Sequence, residues 1–166
     1  MGFKKTSDVI AVSFGVTESA ANTYTQEEIA LQLDVLNNEI FVVVAADLNP
    51  ETPELVPGVT TATNATISST SKTSLPNLSD SNCVAVSQLA IRSAGGEAVS
   101  FSRAAEEAYA AQLDYIALIA TNNFFVAVEG ANNAAARSVT GRLWGYRARA
   151  DATTYAALVQ SEVLSA

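Results

Sequence analysis

The side chains that most often carry out catalysis are scarce in this chain of 166 residues. It contains no histidine, which excludes Ser-His-Asp and Cys-His catalysis, imidazole acid-base chemistry and zinc sites that use histidine. Its single cysteine, Cys83, is too few for an intrachain disulfide or a cysteine-ligated cluster, and its place in an apolar run indicates a buried thiol. The glycine-rich loops that bind nucleotides are also missing. We therefore predict that the chain is not an enzyme and holds no cofactor.

Carboxylates are the remaining side chains suited to catalysis or to cation binding. Glu106, Glu107 and Asp114 lie near tyrosines, as the acid pair of a glycosidase would. Such neighbours are common in a chain with 17 acidic residues, so the sequence favours solvated side chains. The loops at 47–54 and 80–82 offer oxygen ligands for a structural calcium ion, although neither has the EF-hand spacing.

Charge and hydropathy exclude two classes of partner. The net charge is −8, and four of the nine basic residues lie between Arg137 and Arg149, which leaves no extended cationic surface. We therefore expect no direct binding to nucleic acid. The longest strongly apolar run, 40–46, is too short for a membrane span.

The residue types that anchor protein interfaces cluster near the C-terminal end, in a segment that we predict to be a strand. In a regular strand, Arg142, Trp144 and Tyr146 project from one face, and Arg147 and Arg149 project from the other. Arginine, tryptophan and tyrosine are typical interface hot spots, so we interpret these residues as anchors that pair with acids of a neighbouring subunit. Ordinary packing, with the arginine stems lying along the surface, is the alternative.

A C-terminal helix is predicted over 151–165. Asp151 is a good N-cap residue. An apolar stripe follows at helical spacing, at Tyr155, Leu158, Val159 and Val163. A helix of this length gains most of its stability from packing, so the stripe must be covered by the chain's own sheets or by a neighbouring subunit. Since chain termini often reach across to partners, we favour the neighbouring subunit.

The first predicted strands lie between residues 29 and 48. Ile29, Leu31, Leu33 and Val35 alternate with polar residues, and a run rich in β-formers occupies 39–48. We predict a hairpin that turns at Asn37 and Asn38, because asparagine tolerates positive φ. A helix that begins at a capping box of Thr25 and Glu28 is the rival interpretation.

Similar turn signals divide the rest of the chain. Asn122–Asn123 and Asn132–Asn133 are predicted turns, and the proline-rich segment 50–58 is a surface connection. In the segment 60–74, ten of fifteen residues are Ser or Thr, which favours a polar, exposed strand. The segment 103–112 is alanine-rich and is either a short helix or a loop.

Two further strands complete the pattern. One covers 82–93 and needs a bulge near Ser87, and it is followed by a turn at Gly95 and Gly96. The other covers 138–150, with glycines as possible bend points. The total of eight or nine short strands and one terminal helix predicts an all-β, jelly-roll-like β-sandwich that forms a single domain over 1–166.

The composition, rich in Ala, Ser, Thr and Asn, and the tail GYRARADATTYAALVQSE resemble small viral or phage capsid proteins and capsid-decorating proteins. This resemblance implies a jelly-roll structural subunit of a large symmetric assembly. Its partners would be copies of itself and other particle proteins, and it would be made in the host cytoplasm and located in the virion. The alternative is a carbohydrate- or ligand-binding β-sandwich module, for which exposed aromatic residues on one sheet face are expected.

Overall fold

The computed structural model of the chain describes residues 2–103 and 113–166. These residues form two five-stranded sheets and a C-terminal helix, which confirms the predicted all-β class. The first sheet, sheet A, contains β1 (Phe3–Lys5), β2 (Ile10–Thr17), β4 (Glu39–Pro50), β8 (Ala117–Ile119) and β10 (Ser138–Ala150). The second, sheet B, contains β3 (Thr25–Ala30), β5 (Thr61–Ser68), β6 (Cys83–Ala94), β7 (Glu97–Arg103) and β9 (Asn123–Ala131). One turn of 3₁₀ helix spans Val35–Asn37, and helix α1 spans Ala152–Leu164.

The strands pair in a nested order, like one long hairpin ribbon that has been folded into two sheets. In sheet A, β10 lies between β4 and the two short neighbours β1 and β2, and β8 follows β4. Sheet B has the order β3-β9-β5-β6-β7, and the pairs are antiparallel. From the chain ends inward, β2 pairs with β10, β3 with β9, β4 with β8 and β5 with β6, in alternating sheets. Such a ribbon folded into two sheets is a jelly roll, so the prediction of a jelly-roll-like sandwich is confirmed.

The main core lies between the two sheets and follows from alternation along each strand. Phe41, Leu143 and Ile119 enter it from sheet A, and Phe124 and Ile67 enter it from sheet B, all fully buried. Apolar side chains of this size contribute roughly 1.5–3 kcal/mol each when they are removed from water. The core therefore fixes the inner faces and leaves the outer faces of both sheets for other contacts.

The predicted hairpin at Asn37–Asn38 is wrong. β3 ends at Ala30 and pairs with β9 in sheet B, whereas β4 lies in sheet A. Asn38 does adopt the left-handed conformation, with φ of 54°, but it ends a 3₁₀ turn within a connection that crosses between the sheets. The Asn122–Asn123 turn likewise connects β8 in sheet A to β9 in sheet B.

The alternation predicted through Val35 stops early. Gln32 has a φ of 54°, which interrupts the extended backbone after Leu31. Leu31 and Leu33 are buried from this loop, and Val35 is exposed. Alternate leucines are thus buried without forming a strand, because both loop residues pack into the main core.

The Ser/Thr-rich strand exists, but the prediction that it is exposed is wrong. β5 lies in the middle of sheet B between β9 and β6, and seven of its eight residues are buried. The hydroxyl group of Thr61 is satisfied by the carbonyl oxygen of Glu54, at 2.5 Å. Threonine suits this position because its branched side chain packs well in a sheet.

The two-residue turn at Gly95 and Gly96 is confirmed, with φ of 60° and 82°, and it joins β6 to β7. The bulge expected near Ser87 is absent, since the pairing of β5 with β6 is continuous there and shifts instead between Ile67 and Ser68. Asn132 has a positive φ of 57°, as its predicted turn requires.

The predicted strand 138–150 agrees with β10. A register shift against β4 falls between Trp144 and Gly145, where the glycines were expected to allow bending. A Cβ atom at Gly145 would overlap the carbonyl oxygen of Val42, and one at Gly141 would overlap that of Asp47. Both glycines therefore permit close backbone approach.

The helix or loop expected at 103–112 lies outside the described residues, except for Arg103, which ends β7. Glu106 and Glu107 lie outside them as well. Within 2–103 and 113–166, no helix has the length and apolar character needed to cross a bilayer.

Candidate interaction surface

The outer face of sheet A carries most of the interface residues predicted from the sequence. The register shift adds its extra residue to β4, so alternation along β10 is undisturbed. Arg142, Trp144 and Tyr146 therefore share the outer face, whereas Leu143 lies in the main core. This agrees with the predicted division of the strand into two faces.

Helix α1 covers one half of this outer face. Its residues Tyr155, Leu158 and Val159 pack on a second apolar cluster. The buried members of that cluster are Ile40, Val42, Ala120, Ala148 and Ala150. Of the two docking sites considered for the helix, the structure shows the one on the chain's own sandwich and not the favoured one on a neighbouring subunit. Val163, the fourth residue of the predicted stripe, is 62% exposed.

Glu162, and not Val163, is the buried residue in the last turns of the helix. Its side chain is buried, and its carboxylate accepts hydrogen bonds from the backbone N–H groups of Ala120 at 2.7 Å and Thr121 at 3.1 Å. Its own carbonyl oxygen accepts from the Asn82 amide at 2.9 Å. The spacing from Tyr155 to Leu158, Val159 and Glu162 is i, i+3, i+4 and i+7, so helical periodicity could have identified this position.

Polar contacts fix both ends of helix α1. At the N-terminus, the side chain of Asp151 accepts a hydrogen bond from the N–H of Thr154 at 2.7 Å, which confirms the predicted N-cap and lowers the pKa of Asp151. At the C-terminus, the ammonium group of Lys72 donates to the carbonyl oxygen of Ser165 at 3.1 Å and pairs with Asp80 at 2.8 Å. The hydrogen bond from Lys72 is the main cause of the lowered pKa of Asp80.

The other half of the outer face is open. Arg142 is exposed there and Trp144 is half-buried, in a shallow depression of about 370 Å³. The depression is also lined by polar residues, namely Ser13, Asp47, Asn49 and Thr140. Tyr146 marks the boundary between the halves, because it contacts the helix-covered cluster and lies 4.8 Å beneath the Lys5 ammonium group.

The two remaining predicted anchors lie elsewhere. Arg147 donates to the carbonyl oxygens of Leu31 and Gln32, both at 2.8 Å, and pairs with the carboxylate of Glu39 at 3.0 Å. This arginine therefore holds a loop at the end of the sandwich, as the alternative of ordinary packing predicts. Arg149 is exposed beside the N-terminal strand. An intermolecular role for the exposed anchors stays a prediction.

Cys83 is half-buried, and desolvation, with a smaller contribution from the nearby Asp80 carboxylate, raises the pKa of its thiol to about 11. Asp114 is exposed. Among the described residues, no three Asp, Glu or Cys side chains are grouped so that they could hold a metal ion, and Asp80 in the 80–82 loop is paired with Lys72.

No protein-family model matches the chain, and no curated protein matches it. Among solved structures, a chain from Desmodium yellow mottle tymovirus is similar at 8% sequence identity and a TM-score of 0.29, over 84% of this chain and 87% of that one.

Proposed function

We propose that the chain is a structural subunit of a large symmetric assembly, namely a virus or phage particle, in which it is a shell protein or a decorating protein. The observation that carries this proposal is the nested pairing of β2 with β10, β3 with β9, β4 with β8 and β5 with β6. Jelly rolls with this topology form viral capsid domains, and they also form lectins and cupins. Because one fold serves several functions, the surfaces must support the choice.

The open half of sheet A supports an assembly role. Arg142 and Trp144 are accessible there, beside the Asp47 carboxylate, so the surface combines both charge signs with an aromatic ring. Residues of these types dominate the energetics of protein interfaces. The surface is shallow, which suits a broad protein contact better than enclosure of a small molecule. In this role, the chain binds further copies of itself and other particle proteins. It catalyses no reaction, and it is located in the virion.

A carbohydrate- or ligand-binding module is the second candidate. The observation in its favour is the same depression, where Trp144 offers an aromatic surface and Asp47 and Asn49 offer hydrogen-bonding groups. The two candidates therefore use the same residues and differ in the size of the partner.

Native mass spectrometry and electron microscopy of the purified chain, over a range of protein and salt concentrations, test the proposal. We expect a closed oligomer or particle with a fixed number of copies. A chain that forms nothing larger than a dimer under any condition would contradict the assembly role.

The double variant Arg142→Ala/Trp144→Ala shows whether this surface matters. We expect weaker assembly with little loss of thermal stability, because neither residue belongs to the two apolar cores. Its melting curve is the control for folding. Saccharide binding by a monomeric native chain, abolished in the double variant, would instead favour the second candidate.

A further inference from the structure

Strand β7 is an edge strand with an unusual composition. All seven of its residues, Glu-Ala-Val-Ser-Phe-Ser-Arg, are exposed. One edge pairs with β6, and in the part of the chain that the structure describes no strand pairs with the other edge. An unpaired edge presents free N–H and C=O groups and is a template for another strand. Val99 and Phe101, which are 57% and 55% exposed, make this edge apolar as well.

The turn determines which backbone groups point outward. Gly95 and Gly96 form a two-residue turn, which makes Ala94 and Glu97 a hydrogen-bonded pair. The N–H and C=O groups of the odd-numbered residues of β7 therefore face β6. The hydrogen bond from the Ser87 hydroxyl group to the carbonyl oxygen of Arg103, at 3.0 Å, agrees with this orientation. The corresponding groups of the even-numbered residues face outward.

These outward groups match those of an identical strand. In an antiparallel pairing centred on Ser100, Ser100 lies opposite Ser100 of a second copy, and Ala98 lies opposite Ser102 in both directions. All three pairs bring outward groups together, so the contact gains about six main-chain hydrogen bonds. Among the described residues of its own chain, nothing lies within 4 Å of a Cβ atom placed at Gly95 or Gly96.

The side chains are complementary in the same register. Glu97 lies opposite Arg103, and Val99 lies opposite Phe101, each pair occurring twice because of the two-fold symmetry. Opposite charges and pairs of an aromatic with a β-branched residue are favourable across strands. A slip of two residues in either direction removes both charge pairs. The strand is therefore complementary to itself in one register.

We propose that β7 pairs with β7 of a second copy of this chain, in an antiparallel two-fold contact that joins two five-stranded sheets into one. The occupant is a second copy because the acid and the arginine lie at opposite ends of the strand, as self-pairing requires. This inference rests on the proposed function, to which it adds one specific contact between subunits.

Charge reversal tests the register. In Glu97→Arg, both charge pairs become arginine pairs, and in Arg103→Glu both become acid pairs. We expect each variant to dimerise at least about tenfold more weakly than the native chain in sedimentation equilibrium. An equimolar mixture of the two variants should regain most of the affinity, because both cross-strand pairs of a mixed dimer again join an arginine to a glutamate. A mixture that associates no better than its components would overturn the proposal.

Removing one of the outward backbone N–H groups tests the β7 pairing independently of the charges. Ser100→Pro removes an outward N–H group while the bonds to β6 remain, so the chain should fold and the dimer should be lost. Ser100→Thr is the matched control and should dimerise like the native chain. A native chain that is monomeric up to its solubility limit, or a folded Ser100→Pro variant that still dimerises, would also overturn the proposal.

The same variants separate this contact from the assembly role. If Ser100→Pro still forms particles, the β7 contact is wrong and the proposed function stands. If the mixed variants dimerise as expected but the native chain never forms anything larger than a dimer, the contact stands and the particle role fails.

Discussion

Replacing Glu162 by alanine should destabilise the fold much more than replacing its neighbour Val163 by alanine. The first substitution leaves the N–H groups of Ala120 and Thr121 without their acceptor. An unsatisfied buried donor costs about 1–3 kcal/mol. Ala120 is only 2% exposed, while Thr121 is half-buried and can regain water, so we expect a loss of about 2–4 kcal/mol in the free energy of unfolding. Val163 is 62% exposed, and its replacement should change that free energy by no more than about 0.5 kcal/mol.

Urea titration and thermal melting of both variants measure the difference. For a chain of this size, 1 kcal/mol corresponds to about 2–4 °C, so the melting temperature of Glu162→Ala should fall by about 4–16 °C. Glu162→Gln retains one acceptor oxygen and should lie between the alanine variant and the native chain. An apolar stripe that ran through Val163 would produce the opposite order. Equal or greater destabilisation by Val163→Ala would refute the placement of Glu162 on the buried side of the helix.

Three other expectations concern packing. Gly145→Ala should lower the free energy of unfolding, measured by urea titration, by about 1–3 kcal/mol, because the new Cβ atom overlaps the carbonyl oxygen of Val42. Gly15→Ala is the control and should have little effect, because the atoms nearest to its Cβ position are 3.8 Å away. Cys83, whose pKa is raised to about 11, should react with a thiol reagent at pH 8 far more slowly in the native chain than in denaturant; equal rates would contradict its protection. Truncation after Ala150 uncovers the second apolar cluster, so the melting temperature should fall and binding of a hydrophobic dye should rise; an unchanged melting curve would show that the helix is not docked there.

The fold class was accessible from the sequence because alternation and turn residues are local signals. β10 and the Gly95–Gly96 turn were predicted at their observed positions. Strand partners were not predictable in the same way. Asn38 has the positive φ that its residue type suggested, yet the backbone angle at a turn does not determine whether the next strand enters the same sheet.

Burial was the second quantity that residue types did not determine. The threonines of β5 were expected to face water, but their strand lies in the middle of sheet B, and residues on both of its faces are buried. The hydroxyl group of Thr61 donates to the carbonyl oxygen of Glu54, whereas the hydroxyl groups of Thr63 and Thr66 are buried without a partner among the described residues. A polar composition therefore does not identify an edge or exposed strand.

The candidate surface was predictable only in part. The shared face of Arg142, Trp144 and Tyr146 follows from strand periodicity alone. Arg147 donates hydrogen bonds to carbonyl oxygens of a loop that is distant in sequence. No local sequence pattern predicts these contacts. Glu162 was predictable in position but not in role, because its partners follow β8, 41 and 42 residues away in sequence.

The nested pairing also has a consequence for how the chain folds during synthesis. Within the described residues, β1 to β4, which end at Pro50, pair only with β8, β9 and β10, the first of which begins at Ala117. The early strands thus leave the ribosome well before their partners exist, and the native sheets can close only after the last strand is made. Contacts so distant in sequence are associated with folding in milliseconds to seconds, and strands that wait unpaired are prone to aggregate. Local pairing is available first to β5, β6 and β7, so we expect the ribbon to close from its middle toward both ends.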